Sequence, residues 1–196
     1  TTPTSNRPLR GGKATVWEGG VRVPCIVNWP GLTKPGGRTD AIVQTEDFYP
    51  TFVQLLGLKP QPGQTFDGVS VADSFAGKPF NHPPIFIYFP HSPGVPDVLP
   101  PAVTVTDGDW KLMRLFYQGE SGAHGYWLYN LKDDIGETKD LTAVQPDRVK
   151  QMDALIEKFL ARTKAVTPKP NPAYDPTAKK TGPPKGKRKP AKRLLV

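Results

Sequence analysis

Leu9-Arg10-Gly11-Gly12-Lys13-Ala14-Thr15-Val16-Trp17-Glu18-Gly19-Gly20-Val21-Arg22-Val23-Pro24 sets one lysine and one glutamate between two glycine pairs, ahead of an apolar run. Glycine pairs let backbone approach a ligand closely and take φ > 0 without cost. A lysine held between them is a point charge for an anion. The spacing excludes a Walker A loop, because no Gly-Lys-Ser/Thr follows a strand pattern, and it lacks the Gly-x-Gly-x-x-Gly of a dinucleotide fold. Lys13 is therefore the first candidate for binding an anionic group. Glu18 and Arg22, four residues apart, are positioned to pair or to hold the backbone that aims it. Gly11, Gly12, Gly19 and Gly20 serve as backbone requirements rather than reactive groups.

The remaining candidates are sparser. His91, in Tyr88-Phe89-Pro90-His91, can contact a sugar hydroxyl or a neighbouring charge, or simply sit in a surface loop. His82 and His124 have weaker cases, and the three histidines are too far apart for a local zinc signature. The single cysteine, Cys25, excludes an internal disulfide framework. Asp107, Asp109, Asp133 and Asp134 fit hairpin and turn roles, since the twelve-residue EF-hand spacing is absent. No metal ligands are assigned. Trp110, Trp127, Tyr126 and Tyr129 are expected to pack a sheet.

The elements that must position these groups follow from periodicity. Residues 1 to 20 read as loop, and 21 to 29 as a strand whose regular pairing starts after Pro24. Phe48, Thr51, Phe52, Leu55 and Leu56 recur at three and four, predicting a short helix with Pro50 in its first turn and Gly57 as its stop. A helical turn is expected from Val71 to Phe75. Ile85 to Phe89, Val103 to Thr106, Trp110 to Phe116 and Trp127 to Leu131 read as strands of a small antiparallel sheet. Pro146 opens a helix whose stripe of Val149, Met152, Leu155, Ile156, Phe159 and Leu160 should cover that sheet.

Composition adds two bounds. The 196 residues carry 24 prolines and 19 glycines, which implies long irregular connections. The net charge of +8 resides in the tail, where nine basic residues between Thr167 and Val196 face one acid, Asp175. That Pro/Lys-rich stretch cannot bury enough apolar area to offset ordering and is expected to be disordered. Its basic run lacks the aromatic interleaving of a nucleic-acid binder, so nucleic acid is not the expected partner. No apolar run reaches the ~18 residues of a membrane span.

The lysine loop resembles that of the type I, formylglycine-dependent sulfatases of the alkaline phosphatase superfamily, most closely the bacterial sugar sulfatases. The resemblance continues through Pro3-Thr4-Ser5-Asn6, Trp29-Pro30-Gly31, Asp47-Phe48-Tyr49-Pro50-Thr51, Asp67-Gly68-Val69-Ser70, Gly108-Asp109-Trp110-Lys111-Leu112 and Leu128-Tyr129-Asn130-Leu131. It implies an α/β fold: residues 1 to 83 as the C-terminal part of the catalytic core, 84 to 166 as a subdomain of antiparallel sheet plus helix, and 167 to 196 as the basic tail. It also implies that Lys13 contacts the substrate sulfate and that His91 lies near the pocket. Ala14 departs from the family loop, where glycine is usual.

The Cys-x-Pro-Ser-Arg nucleophile motif and the calcium-binding aspartates of that family are not present, and Cys25 lacks the motif's context. The resemblance therefore implies a C-terminal portion, inactive alone, whose partner is the N-terminal remainder bearing formylglycine and calcium. The substrate would be a sulfated sugar or aryl sulfate, and the location the periplasm or exterior. Two rivals stay open: a non-catalytic carbohydrate- or polyanion-binding module, and a related phosphoryl-transfer enzyme.

Overall fold

The computed structural model describes residues 5–92, 99–170 and 172. Pro3, Thr4 and the basic tail beyond 172 lie outside these, as do residues 93–98.

Four strands form an antiparallel meander: β1 (Ile85–Phe89), β2 (Ala102–Asp107), β3 (Trp110–Leu115) and β4 (Gly125–Asn130), in the order β1-β2-β3-β4. Gly108 takes φ +57° in the two-residue turn that sets Asp107 opposite Trp110, so the β2–β3 hairpin closes without Cβ strain. Alternation sends successive side chains to opposite faces. One face offers Val103, Val105, Leu112 and Leu128, which pack with Met152, Ile156 and Leu160 of the long helix α4 (Pro146–Thr163). Pro146 occupies its first turn, and Lys164 ends it in the left-handed region. Phe86 and Phe159 stack at 4.4 Å between ring centres where β1 meets α4. The fold is thus α/β with a small antiparallel sheet covered by a C-terminal helix.

The opposite face gathers Ala102, Met113, Leu115 and Tyr129, and it is covered by Val16, Trp17 and Leu99. The glycine-rich segment near the start of the chain is therefore the second layer over the sheet. Its last turn is helical, α1 (Glu18–Val21), where the sequence suggested loop.

The helical reading of the DFYPT stretch holds as α2 (Phe48–Leu55), and the 71–75 turn appears as α3 (Ala72–Phe75). Asp47, fully buried, organises both. It accepts hydrogen bonds from the backbone N–H groups of Gln44 at 2.6 Å and Val69 at 2.9 Å, and its Oδ2 lies 2.9 Å from His82 Nε2. Thr51 donates to Asp47 O and accepts from Val71 N–H, joining the two helices through one hydroxyl. His82 is thereby a structural partner of a buried carboxylate.

One expectation fails. Residues 22 to 29 join no ladder, and Val23 and Ile26 are 79% and 94% exposed. A strand needs a neighbour for its N–H and C=O groups, and among the described residues none runs beside this one. Among the described residues no helix is long and apolar enough to cross a membrane.

Candidate functional site

The lysine loop is closed on itself before it touches anything else. Gly19 N–H donates to Arg10 O at 2.8 Å, and Asn6 Nδ2 spans the same gap, donating to Gly11 O and Gly19 O. At the crest, Thr15 bonds back to Gly12 O through both its N–H and its hydroxyl. Gly19 is required for closure, because a Cβ there would sit 2.5 Å from both Arg10 O and Gly11 O. Gly11 has φ +70° beneath the Trp17 ring. At Gly12, by contrast, a Cβ would meet nothing nearer than Asn6 Nδ2 at 3.5 Å.

Lys13 stands at this crest with its side chain exposed, and among the described residues it has no ion-pair partner. Ala14, next to it, adopts φ +70°. That is the left-handed region, which disfavours any Cβ. Ala14→Gly should therefore raise stability by about 0.5–1 kcal/mol, the relief of Cβ strain outweighing the added freedom of the unfolded chain. A lowered thermal midpoint in that variant would mean the strain is absent.

Beneath the loop lies a cluster of charges, part of which the sequence reading missed. Lys111, on the loop-facing side of β3, is 1% exposed. Its Nζ lies 2.8 Å from Val16 O, 2.9 Å from Glu18 Oε1 and 2.8 Å from Glu137 Oε1. Glu137 Oε2 accepts the Glu18 backbone N–H at 2.8 Å, while Glu137 O accepts from Arg10 Nη1 at 2.9 Å. Burial pushes the Glu137 carboxyl above its ordinary value, with Lys111 pulling it back. Glu137 also takes φ +53° while fully buried, a strained backbone held by its surroundings. Glu18 pairs with Arg22 as the spacing suggested, at 3.5 Å, but its closer partner is Lys111.

Aromatic stacking completes the mount. Trp17 stacks on Trp127 at 5.3 Å, meets Tyr129 edge-on at 5.9 Å, and carries the Arg10 guanidinium 3.7 Å above its ring. Burial pushes the Tyr129 hydroxyl up to about 12, so it remains neutral.

His91 is exposed, edge-on to Phe89, whose ring packs against the same cluster as Trp17. His124 lies beside Phe116 and Tyr117 and accepts the Tyr117 backbone N–H. Asp134 accepts the N–H groups of Thr138 and Lys139, and although its small burial raises the carboxyl, these bonds hold it below its ordinary value. Cys25 is exposed in the unpaired segment at 22 to 29. Among the described residues no three His, Cys, Asp or Glu side chains converge to hold a metal ion.

The described residues thus set a lysine on a closed glycine-rich loop over one face of an antiparallel sheet, with a helix on the other face. The family model for the C-terminal region of N-sulphoglucosamine sulphohydrolase matches residues 12–165. A sulfatase of Formosa agariphila is 37% identical over 176 residues, covering 84% of this chain and 32% of the relative. An uncharacterized sulfatase of Schizosaccharomyces pombe is 30% identical over 172 residues, covering 82% and 28%. The chain belongs to the sulfatase family of the alkaline phosphatase superfamily. The solved structure of Ps i-CgsB superposes with a TM-score of 0.66 at 29% identity, covering 79% of this chain and 32% of that one. This chain spans about a third of the length of these relatives.

Proposed function

We propose that the native polypeptide carrying these residues hydrolyses sulfate monoesters of sugars or aryl alcohols, and that this region contributes the cation that meets the sulfate. The observation that carries the reading is Lys13: an exposed ammonium on a loop whose base is fixed by Asn6, Arg10, Lys111 and Glu137. Charge developing on sulfate oxygens is best stabilised by a donor already in place, because no reorganisation is then needed during reaction. Lys13 supplies such a charge. His91 contributes to the pocket rim by bonding a sugar hydroxyl, with Glu18, Arg22 and the four glycines holding the loop. Ps i-CgsB has been solved in complex with k-i-k-neocarrahexaose, which supports a carbohydrate ligand.

The formylglycine nucleophile and calcium belong, in this reading, to the family length outside this third, and the enzyme works in the periplasm or exterior. The exposed apolar segment at 22 to 29, with Val23 and Ile26 at the surface, supports docking against that remainder. The stretch alone is then inactive.

The test is hydrolysis of p-nitrophenyl sulfate and of sulfated oligosaccharides by the native polypeptide, with and without Lys13→Ala. Turnover should fall about 10²–10³-fold, as for loss of a preorganised charge-stabilising donor. Equal turnover in both proteins would remove Lys13 from the mechanism. Binding of the sulfated sugar without any hydrolysis would replace the enzyme by a carbohydrate-binding module.

A further inference from the structure

We infer that Lys111 and Glu137 are positioning residues for Lys13, setting where its ammonium stands relative to a bound sulfate. The inference rests on the sulfatase reading and on the part Lys13 plays in it. Neither residue is exposed enough to meet substrate, at 1% and 0%. Both instead grip the loop from the sheet side.

Glu137 reaches both limbs. Its carbonyl oxygen takes Arg10 Nη1 on the limb entering the loop, and its carboxylate takes the Glu18 backbone N–H on the limb leaving it. Lys111 fixes the leaving limb twice more, through Val16 O and the Glu18 carboxylate, and ties Glu137 to the same point. From Val16 the route to Lys13 is short and stiff. Thr15 is bonded twice to Gly12 O, and Ala14 is held at φ +70°. A shift of Val16 therefore carries Lys13 with it. A buried lysine between two carboxylates is an expensive way to hold a loop that Trp17 already anchors with apolar area. Its return is directional: three oxygens around one ammonium fix the limb's register as well as its proximity to the sheet.

Unfolding a fraction of the enzyme lowers apparent turnover without altering an inhibition constant, so the constant is the readout. In the native polypeptide, Ki for inorganic sulfate competing with p-nitrophenyl sulfate should rise about tenfold or more in Lys13→Ala, the loss of one charged hydrogen bond. Lys111→Met should produce a comparable rise. In the double variant Lys13→Ala/Lys111→Met the second substitution should add nothing, because it acts only through Lys13.

Glu137→Gln keeps the side chain's shape and one acceptor, and it is read in the same cycle should Lys111→Met not accumulate as folded protein. A Ki unchanged by Lys111→Met or Glu137→Gln while Lys13→Ala raises it overturns the positioning role. So does a full additive rise once Lys13 is gone. A Ki unmoved by Lys13→Ala instead overturns the sulfate-binding role of Lys13 on which the inference stands.

Discussion

Trp17→Ala is expected to destabilise the folded state by about 3–5 kcal/mol, the range for emptying a fully packed aromatic site. Trp17 is 3% exposed and is the largest apolar contribution the loop makes to the sheet. Removing it forfeits the stack on Trp127, the edge contact with Tyr129 and the surface under Arg10 at once. Arg10 would keep its bond to Glu137 O but lose the ring that fixes its plane. The loop's own closure, Gly19 to Arg10 and Asn6 across both limbs, involves no Trp17 side-chain atom and should persist. The loop would then remain a loop but sit loosely on the sheet. Urea unfolding of the native polypeptide followed by circular dichroism measures the first effect. A loss under about 1 kcal/mol would show that the indole site collapses without a cavity.

The sequence carried the sheet and the long helix clearly, and the reason is local. Val149, Met152, Leu155, Ile156, Phe159 and Leu160 form an apolar stripe because one partner, the sheet, covers one side of the helix. The same reasoning misread residues 21 to 29. Their apolar, β-branched composition is that of a strand, but strand formation is a pairing property, and no ladder partner lies beside them among the described residues. The lysine loop was legible through glycine spacing, which reports close backbone approach directly.

Its support was not legible. Lys111 stands in Trp110-Lys111-Leu112-Met113-Arg114-Leu115, where the alternation places a cation on each face and the plain reading of a cation is solvent. Both are buried. Their acids lie 26, 39, 43 and 93 positions away along the chain, distances at which no spacing rule operates. A signal existed only in the departure from pattern: charged residues in a strand that has both faces covered must be paired.

Those two cations give the second prediction, since the same substitution on opposite faces of one strand should differ in cost. Lys111→Met leaves Glu137, 0% exposed at its side chain, without its counter-charge, and Glu18, 10% exposed, with only the longer 3.5 Å pair to Arg22. Stranding buried carboxylates in this way is expected to cost about 3–5 kcal/mol. Arg114 donates to Asp153 at 2.7 Å and to Glu157 at 2.5 Å, joining β3 to α4, but these partners are 25% and 65% exposed. Released from the guanidinium, both can turn to water, and methionine fills much of the vacated stem. The loss there is mainly that of hydrogen bonds to a charged group, about 1.5–3 kcal/mol before rehydration of the acids reduces it. Parallel urea titrations of the two variants should therefore rank Lys111→Met as the more damaging, although arginine is the larger side chain. The reverse order would mean that water reaches Glu137 in the folded protein and that the loop is held chiefly by Trp17. Equal losses would place the dominant cost in packing around β3 rather than in the stranded charges.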